Sequence, residues 1–179
     1  MKNHMKNQTQ EQQIISLMKC PVPKKKVGII KLKMVREGTL LYGAERFHRA
    51  KEAAEMVRPL FEYSDREMMV VMSLDTALTP IALEVAAVGS LNSCVIDARD
   101  IFKHAILSNA ARVLCFHNHP SGNLTASRDD ILVTEKIKMA GELLGIELID
   151  HIIMGLNGEY ISFQEENIPP FDLGKGAAS

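Results

Sequence analysis

Two histidines and an aspartate stand close together in the segment 117–130, whose sequence is HNHPSGNLTASRDD. His117 and His119 come directly after the apolar run 111–116, which predicts a buried strand. Side chains two positions apart on a strand point to the same face, with Cα atoms ~6.6 Å apart. The spacing therefore allows the two imidazoles to share one metal ion, at ~2.0–2.1 Å each.

The third candidate ligand is Asp130, in the first turn of a helix that the sequence predicts over 127–144. A carboxylate there faces the strand ends, where open α/β sheets usually place ligands. Two histidines and one aspartate leave one tetrahedral position of a zinc ion free for water, as in catalytic sites. Zinc lowers the pKa of such a water from ~15.7 to about 7. Hydrolysis also needs a base and a hydrogen-bond donor, and Glu84 and Ser127 are the candidates.

Each of these residues also has a simpler explanation, and a His-x-His pair by itself is often an accident of the surface or the core. Ser127 and Asp130 have the spacing of a helix capping box, which by itself would account for both. Asp129 is a rival ligand, although one helical position turns it by ~100° from Asp130. Glu84 is the lone acid of an apolar strand, and an edge-strand charge facing water is the simpler interpretation.

The remaining histidines and the cysteines carry weaker signals. His104 lies in a predicted helix and His151 in an apolar strand, so we expect both to be structural residues, while His4 and His48 show no pattern. The cysteines form neither a disulfide framework nor a cysteine zinc site, which favours a cytoplasmic protein; they are Cys20, Cys94 and Cys115. The Pro-Cys-x-x-Cys spacing of zinc deaminases is missing from the sequence, which disfavours base deamination.

The segments that must position these residues alternate between strand and helix. Apolar stripes at a spacing of three to four residues predict helices over 44–61, 99–107 and 127–144. Alternating or continuous apolar runs predict strands over 28–36, 68–74, 81–88, 111–116, 146–154 and 160–163. A hairpin turn at 156–158 joins the last two strands. This order predicts an α/β fold in which helices flank one mixed β-sheet.

Length and composition are those of an ordinary globular domain. The chain has 179 residues, of which 46% are hydrophobic and 24% charged, so wholesale disorder is excluded. No apolar run approaches the ~18–20 residues of a membrane helix. We expect a flexible basic leader at 1–26, one domain at 27–166 and a loose C-terminal tail at 167–179.

The net charge of −1 is unevenly distributed. Residues 1–33 carry eight lysines against one glutamate, a charge of +7, and the remainder carries −8. Such an arm can hold nucleic acid weakly through phosphate contacts, here with Lys24, Lys25 and Lys26. A solvated leader is the favoured alternative, because the arm lacks the aromatic residues on which bases stack.

The order of the candidate residues resembles a known motif. Glu84 followed by His-x-His-x7-Ser-x-x-Asp is similar to the JAMM motif of JAB/MPN-domain metalloproteins, which are zinc-dependent peptidases and isopeptidases. Three segments more narrowly resemble the RadC family, once labelled DNA repair proteins: GSLNS at 89–93, HNHPSG at 117–122 and DHII at 150–153. The resemblance covers about residues 35–163, most of the chain.

The resemblance implies the three-layer, cytidine-deaminase-like architecture of MPN/JAB domains and a specific set of roles. His117, His119 and Asp130 become the zinc ligands. Glu84 becomes the general acid/base, and Ser127 a hydrogen-bond donor to the tetrahedral intermediate. The sequence departs from the family pattern at Ala126, where proline is usual, and at Ser90, where threonine is usual.

Three functions follow from these observations. The first is a zinc-dependent hydrolase acting on an unidentified peptide or isopeptide, with the oligomeric state left open. The second is an accessory protein of DNA repair or mobile elements. RadC relatives commonly carry an N-terminal domain of helix-hairpin-helix character, in place of which this chain has a short lysine-rich leader, and this weakens any DNA role that needs that domain. The third, a vestigial binding module, is disfavoured by the intact ligand set.

Overall fold

The computed structural model describes residues 27–31, 34–36, 38–39, 47–89 and 96–171. The chain divides into two units, Met1–Glu37 and Gly38–Ser179. The described residues of the first unit have no regular secondary structure, so the strand predicted over 28–36 is not found among them. A strand needs a hydrogen-bonded neighbour, which an alternating sequence cannot itself supply. The leader at 1–26 lies outside the described residues, and the boundaries predicted at 26 and 166 stay predictions.

The described part of the second unit contains three α-helices. Their bounds are Ala50–Phe61 (α1), Ala98–Leu107 (α2) and Arg128–Leu144 (α3). Helix α1 buries Ala53, Ala54, Val57 and Phe61. Of these, Ala54 and Val57 belong to the apolar stripe that the sequence predicts, whereas Ala50 and Leu60 of that stripe are half-buried. It begins after the predicted residue 44, since residues 47–49 are not helical and 44–46 lie outside the described residues. The two other helices occupy their predicted ranges to within one residue.

Five strands of the described residues form one mixed sheet in the order β2-β1-β3-β4-β5. Their bounds are Met68–Leu74 (β1), Pro80–Val88 (β2), Arg112–Asn118 (β3), Glu147–Met154 (β4) and Tyr160–Ser162 (β5). Strands β3 and β4 are parallel, and the other neighbouring pairs are antiparallel. The predicted hairpin turn is a 3₁₀ turn at Leu156–Gly158, in which Asn157 has a φ of 54°.

Helices cover both faces of this sheet, which gives the three-layer architecture implied by the resemblance. One face packs against α1 through Val70, Met72, Leu114 and Phe116. The other face packs against α2 and α3 through Met69, Val71, Val113 and Cys115. Burial on both faces explains why β1 and β3 are continuous apolar runs in the sequence. The predicted α/β fold class is confirmed. Over the described residues, no helix combines the length and the apolar content that a membrane span requires.

Residues 167–171, which the sequence assigns to a loose tail, are in contact with α3. The Nζ of Lys138 donates a hydrogen bond to the carbonyl of Pro170 at 2.7 Å. The same ammonium group lies 4.9 Å from the centroid of the Phe171 ring. Phe171 itself packs against the core between the sheet and helices α2 and α3. These contacts hold the chain against the domain as far as residue 171.

Candidate metal centre

The two histidines of the candidate centre lie at the carboxyl end of β3. His117 is buried, and its backbone is paired with Met69 of β1 on one side and Ile153 of β4 on the other. His119 follows the last residue of the strand, and its amide N–H donates to the carbonyl of Met154 at 3.0 Å. Neighbouring strands on both sides therefore fix the positions from which the imidazoles extend.

Asp130 reaches the histidines because a tight turn leads from β3 to α3. Gly122, with a φ of 76°, donates its N–H to the carbonyl of His119 at 2.9 Å. Ser127 is the N-cap of α3 and forms a complete capping box with Asp130. The predicted helix start and capping box are thus both present, and they point the Asp130 carboxylate back toward β3.

Three potential ligand atoms converge at this place. The Nε2 of His117 lies 2.9 Å from the Nε2 of His119 and 3.2 Å from the Oδ1 of Asp130. The Oδ2 of Asp130 lies 3.5 Å from the Nε2 of His119. Ligand atoms of a tetrahedral zinc ion, each at ~2.0–2.1 Å from the metal, are about 3.3 Å apart. The donor spacing therefore fits one zinc ion.

The hydrogen bond on the far side of His119 also fits a bound cation. The Nδ1 of His119 lies 2.5 Å from the carbonyl oxygen of Asn123. A carbonyl oxygen only accepts, so Nδ1 must carry the proton of the neutral ring. The Nε2 atom then presents a lone pair to His117 and Asp130, as a metal ligand must.

His117, His119 and Asp130 form a candidate metal triad. The contacts within this triad shift the pKa values of two of its members. The nearby Asp130 carboxylate favours the protonated ring and raises the pKa of His119 against the opposing effect of burial, and the charge of Glu67 adds to the increase. Burial acts to raise the pKa of Asp130, but the contacts with His117 and His119 outweigh it and hold that pKa far below its usual range. The carboxylate is therefore ionised at neutral pH and can bind a cation.

Behind His117 lies His151 of β4, whose side chain is fully buried. The Nδ1 of His117 is 2.8 Å from the Nε2 of His151, and the Nδ1 of His151 is 2.6 Å from the Oγ1 of Thr134 in α3. Burial lowers the pKa of His151 well below its ordinary value, which favours the neutral ring. Both ring nitrogens have partners, as expected of a structural histidine, but its contact with a candidate ligand was not predicted.

Sequence reasoning also missed Asn118, which stands between the two candidate ligands. Its side chain accepts a hydrogen bond from the amide of Met68 at 2.8 Å and donates one to the carbonyl of Arg66 at 3.0 Å. Both bonds hold the start of β1 against the end of β3. Strand alternation was the available signal, because it places Asn118 on the face opposite the two histidines.

Glu84 lies on the edge strand β2, on the same face of the sheet as His117. It pairs with Val71 of β1, which pairs with Cys115, so it is two strand spacings, about 10 Å, from β3. Its Oε2 is 2.9 Å from the Nδ1 of His104 in α2, although the two groups are not aligned as a hydrogen bond. Burial raises the pKa of Glu84 and lowers that of His104 to about 4.

The structure thus brings three of the five predicted site residues together. The other two, Ser127 and Glu84, are not part of this group of potential ligands. His117, His119 and Asp130 form the triad, and Ser127 is hydrogen-bonded to Asp130. Glu84 lies beside His104, and its assignment as general acid/base stays a prediction. Of the RadC-like GSLNS segment, residues 90–93 lie outside the described residues, as do Cys20, Cys94 and the three lysines at 24–26.

The fold and the triad define an α/β domain with a candidate metal centre built from a strand end and a helix start. Residues 47–168 match the family model described as a RadC-like JAB domain. The chain belongs to this family, and the resemblance to RadC proteins is confirmed.

Curated relatives carry the name UPF0758 protein. One from Methanosarcina acetivorans is 40% identical over 116 residues, which cover 65% of this chain and 50% of the relative. One from Thermotoga maritima is 46% identical over 104 residues, or 58% of this chain and 46% of the relative. One from Clostridium tetani is 43% identical over 118 residues, or 66% and 51% respectively. The chain spans about half the length of the curated relatives it matches.

Proposed function

We propose that this chain is a zinc-dependent metallohydrolase of the JAMM type, which cleaves a peptide or isopeptide bond. The observation that carries the proposal is the convergence of two imidazole nitrogens and one carboxylate at separations of 2.9, 3.2 and 3.5 Å. Membership of the RadC-like JAB domain family supports a hydrolase. A zinc ion held by His117, His119 and Asp130 would supply Lewis acidity and an acidified water.

Ser127 is suited to donate a hydrogen bond to a substrate oxygen. Its Oγ accepts the amide N–H of Asp130 at 3.1 Å, which uses a lone pair of the hydroxyl and leaves its proton available. The residue is exposed at the start of α3, beside the triad. Capping and support of a developing negative charge on the substrate are therefore compatible in one side chain.

We assign Glu84 the transfer of a proton to the leaving amine. A general acid/base works best when its pKa is close to the working pH, and burial raises the pKa of this carboxyl. The side chain remains 40% exposed, so that it can exchange protons with solvent.

Metal analysis tests the site itself. We expect elemental analysis to find one zinc ion in the purified protein and none in His119→Ala. His48→Ala is the matched control, because His48 is an exposed histidine that precedes α1, and it should keep its zinc. A folded wild-type protein without zinc after growth and purification in zinc would contradict the proposal.

Kinetics test the assigned mechanism. In an assay with fluorogenic peptide and isopeptide reporters, Glu84→Gln should keep its zinc and lose roughly 10²–10⁴-fold in rate, the usual contribution of general acid/base catalysis. Glu55→Gln, which removes an exposed acid of α1, should not change the rate. Cleavage by Glu84→Gln at the wild-type rate would refute the role of Glu84.

The alternative function is an accessory role on DNA, and the charge of the leader is the observation that favours it. Residues 1–33 carry +7, with a run of three lysines at 24–26. It predicts DNA binding that weakens steeply with salt and that is reduced when these three lysines are changed to glutamine. Equal binding by the variant and the wild type would refute this function.

We also propose that the protein works in the cytoplasm. Cys115 is a free, buried thiol, and the other two cysteines are far from it in sequence. Such usage suits a reducing compartment. Mass spectrometry of the native protein after alkylation should find no disulfide, and a disulfide-bonded pair would contradict this location.

A further inference from the structure

A line of hydrogen bonds runs from the start of α3 through the core to His117. The Oγ1 of Thr134 lies 2.5 Å from the carbonyl oxygen of Asp130, one helical turn earlier. The same Oγ1 lies 2.6 Å from the Nδ1 of His151, and the Nε2 of His151 lies 2.8 Å from the Nδ1 of His117. Thr134 and His151 are both fully buried, so water cannot substitute for these partners.

The direction of each hydrogen bond in this line can be worked out from proton counts. A carbonyl oxygen accepts only, so the short contact between Thr134 and the Asp130 carbonyl is attractive only if the threonine hydroxyl donates its single proton there. The hydroxyl must then accept from its other neighbour, the Nδ1 of His151. His151 therefore carries its proton on Nδ1.

The same counting of protons also gives the tautomer of His117, the candidate ligand. A neutral imidazole protonated on Nδ1 has a lone pair on Nε2. The Nε2 of His151 thus accepts a hydrogen bond from the Nδ1 of His117, and the proton of His117 is placed on the nitrogen that faces the core. Its Nε2 then presents a lone pair to His119 and Asp130, 2.9 and 3.2 Å away.

We propose that Thr134 and His151 are positioning residues that fix His117 in the tautomer able to bind the metal. The proposal rests on the proposed function only in placing the metal at the triad. Asp130 then acts on the centre twice, directly through its carboxylate and indirectly through its backbone carbonyl, which orients the hydroxyl of Thr134. The tautomer of His119 does not depend on such a chain of hydrogen bonds, because the carbonyl of Asn123 accepts directly from its Nδ1.

The ordinary alternative is that His151 and Thr134 only fill the core between β4 and α3. A filling role depends on volume and hydrogen-bond satisfaction in general. The positioning role depends on the threonine hydroxyl and on the direction of each bond. Thr134→Val keeps the shape and removes the hydroxyl, while Thr134→Ser keeps the hydroxyl and removes a methyl group. The two variants therefore separate the two roles.

The first measurement is the tautomer of each ring by ¹⁵N NMR of the metal-free wild-type protein, at about pH 9, where imidazoles are neutral. We expect His151 and His117 both to be protonated on Nδ1. Protonation of His151 on Nε2 would overturn the proposal without any variant being made. This measurement needs no metal and no substrate, so its outcome is independent of the proposed function.

The second measurement is the dissociation constant of zinc, by competition with a chromophoric chelator. Loss of an outer hydrogen-bond partner of a metal ligand typically weakens binding roughly 10–100-fold, and we expect a loss in this range for Thr134→Val. Thr134→Ser should bind within a few-fold of the wild type. A folded Thr134→Val with wild-type tautomers and wild-type affinity would overturn the proposal. Failure of the wild type itself to bind zinc would instead count against the proposed function.

Discussion

Ser127 and Asp130 bind each other in both directions at the start of α3. The amide of Asp130 donates to the Oγ of Ser127 at 3.1 Å, and the amide of Ser127 donates to the Oδ2 of Asp130 at 2.7 Å. The other oxygen of the same carboxylate, Oδ1, lies 3.2 Å from the Nε2 of His117. Helix capping and a position suited to metal ligation, which are alternatives when the sequence is considered alone, are combined in one carboxylate.

Removing the cap should cost stability without removing the metal. For Ser127→Ala we expect a decrease in the free energy of unfolding of about 1 kcal/mol, since α3 loses an N-cap hydrogen bond. The zinc content should stay the same, because Ser127 is not a ligand in the proposal. The variant Ser127→Thr retains a hydroxyl at the cap and should be close to the wild type in urea denaturation. Unchanged stability of Ser127→Ala would show that the cap is not needed.

Asp130 and its neighbour in the helix provide a matched pair for the ligand assignment. Asp130→Asn keeps the shape of the side chain and removes the charge that faces the two imidazoles, so we expect loss of bound zinc. Asp129→Asn removes the same charge from an exposed position one residue earlier and should keep its zinc. Metal analysis of the two variants decides between them. Loss of zinc in Asp129→Asn alone would reverse the assignment.

We expect the ionisation of Asp150 to lower the free energy of unfolding as the pH rises from about 4 to about 6. Burial raises its pKa from 3.8 to about 6, against the effect of hydrogen bonds from Ser162, Gln164 and His151. A carboxyl with a raised pKa binds its proton more tightly in the folded state, so the contribution of Asp150 to stability is greatest below pH 3.8 and falls as the pH rises to about 6.

The variant Asp150→Asn tests this prediction, because an amide cannot ionise and its Oδ1 can still accept both backbone amides. Urea denaturation at a series of pH values gives the stability difference between wild type and variant. We expect this difference to shift in favour of Asp150→Asn as the pH rises through the window. A difference that is independent of pH would mean that Asp150 has the same pKa in the folded and unfolded chain.

Gly141 is required where α3 passes the start of β4. A Cβ at this position would overlap the carbonyl oxygen of Ile146 and lie 3.1 Å from the ring of Phe102. We expect Gly141→Ala to lower stability by about 1–3 kcal/mol through overpacking, although alanine is the better helix former. Glu142→Ala, at the next and exposed position, should change it little. A Gly141→Ala variant as stable as the wild type would contradict this account.

The elements around the candidate site follow closely from local sequence signals. The apolar runs of β1 and β3 predicted strands because both faces of the sheet are covered, and Ser127 marked the start of α3 because its side chain caps the helix. Spacing alone placed His117 and His119 on one face. Each of these signals is contained within about ten residues of chain, which is why it could be interpreted without a structure.

The contacts that depend on strand pairing could not be predicted in the same way. His117 and His151 are 34 positions apart and meet because β3 and β4 pair in parallel, in a register that includes a shift after Val113. Nothing in the two strand sequences specifies that register, since both are largely apolar. The neighbour of Glu84 is likewise set by the packing of α2 on β2, which brings His104 to it.

The position of β3 in the middle of the sheet has a consequence for how the proposed zinc ion would be acquired. Because β3 is hydrogen-bonded on both sides, its amide hydrogens should be among the slowest in the protein to exchange with solvent, with or without the ion. The site of the proposed ion would then exist before the ion binds, unlike that of a zinc finger, which folds around its metal. A chelator should strip this protein without unfolding it, and adding zinc back should restore the centre at once.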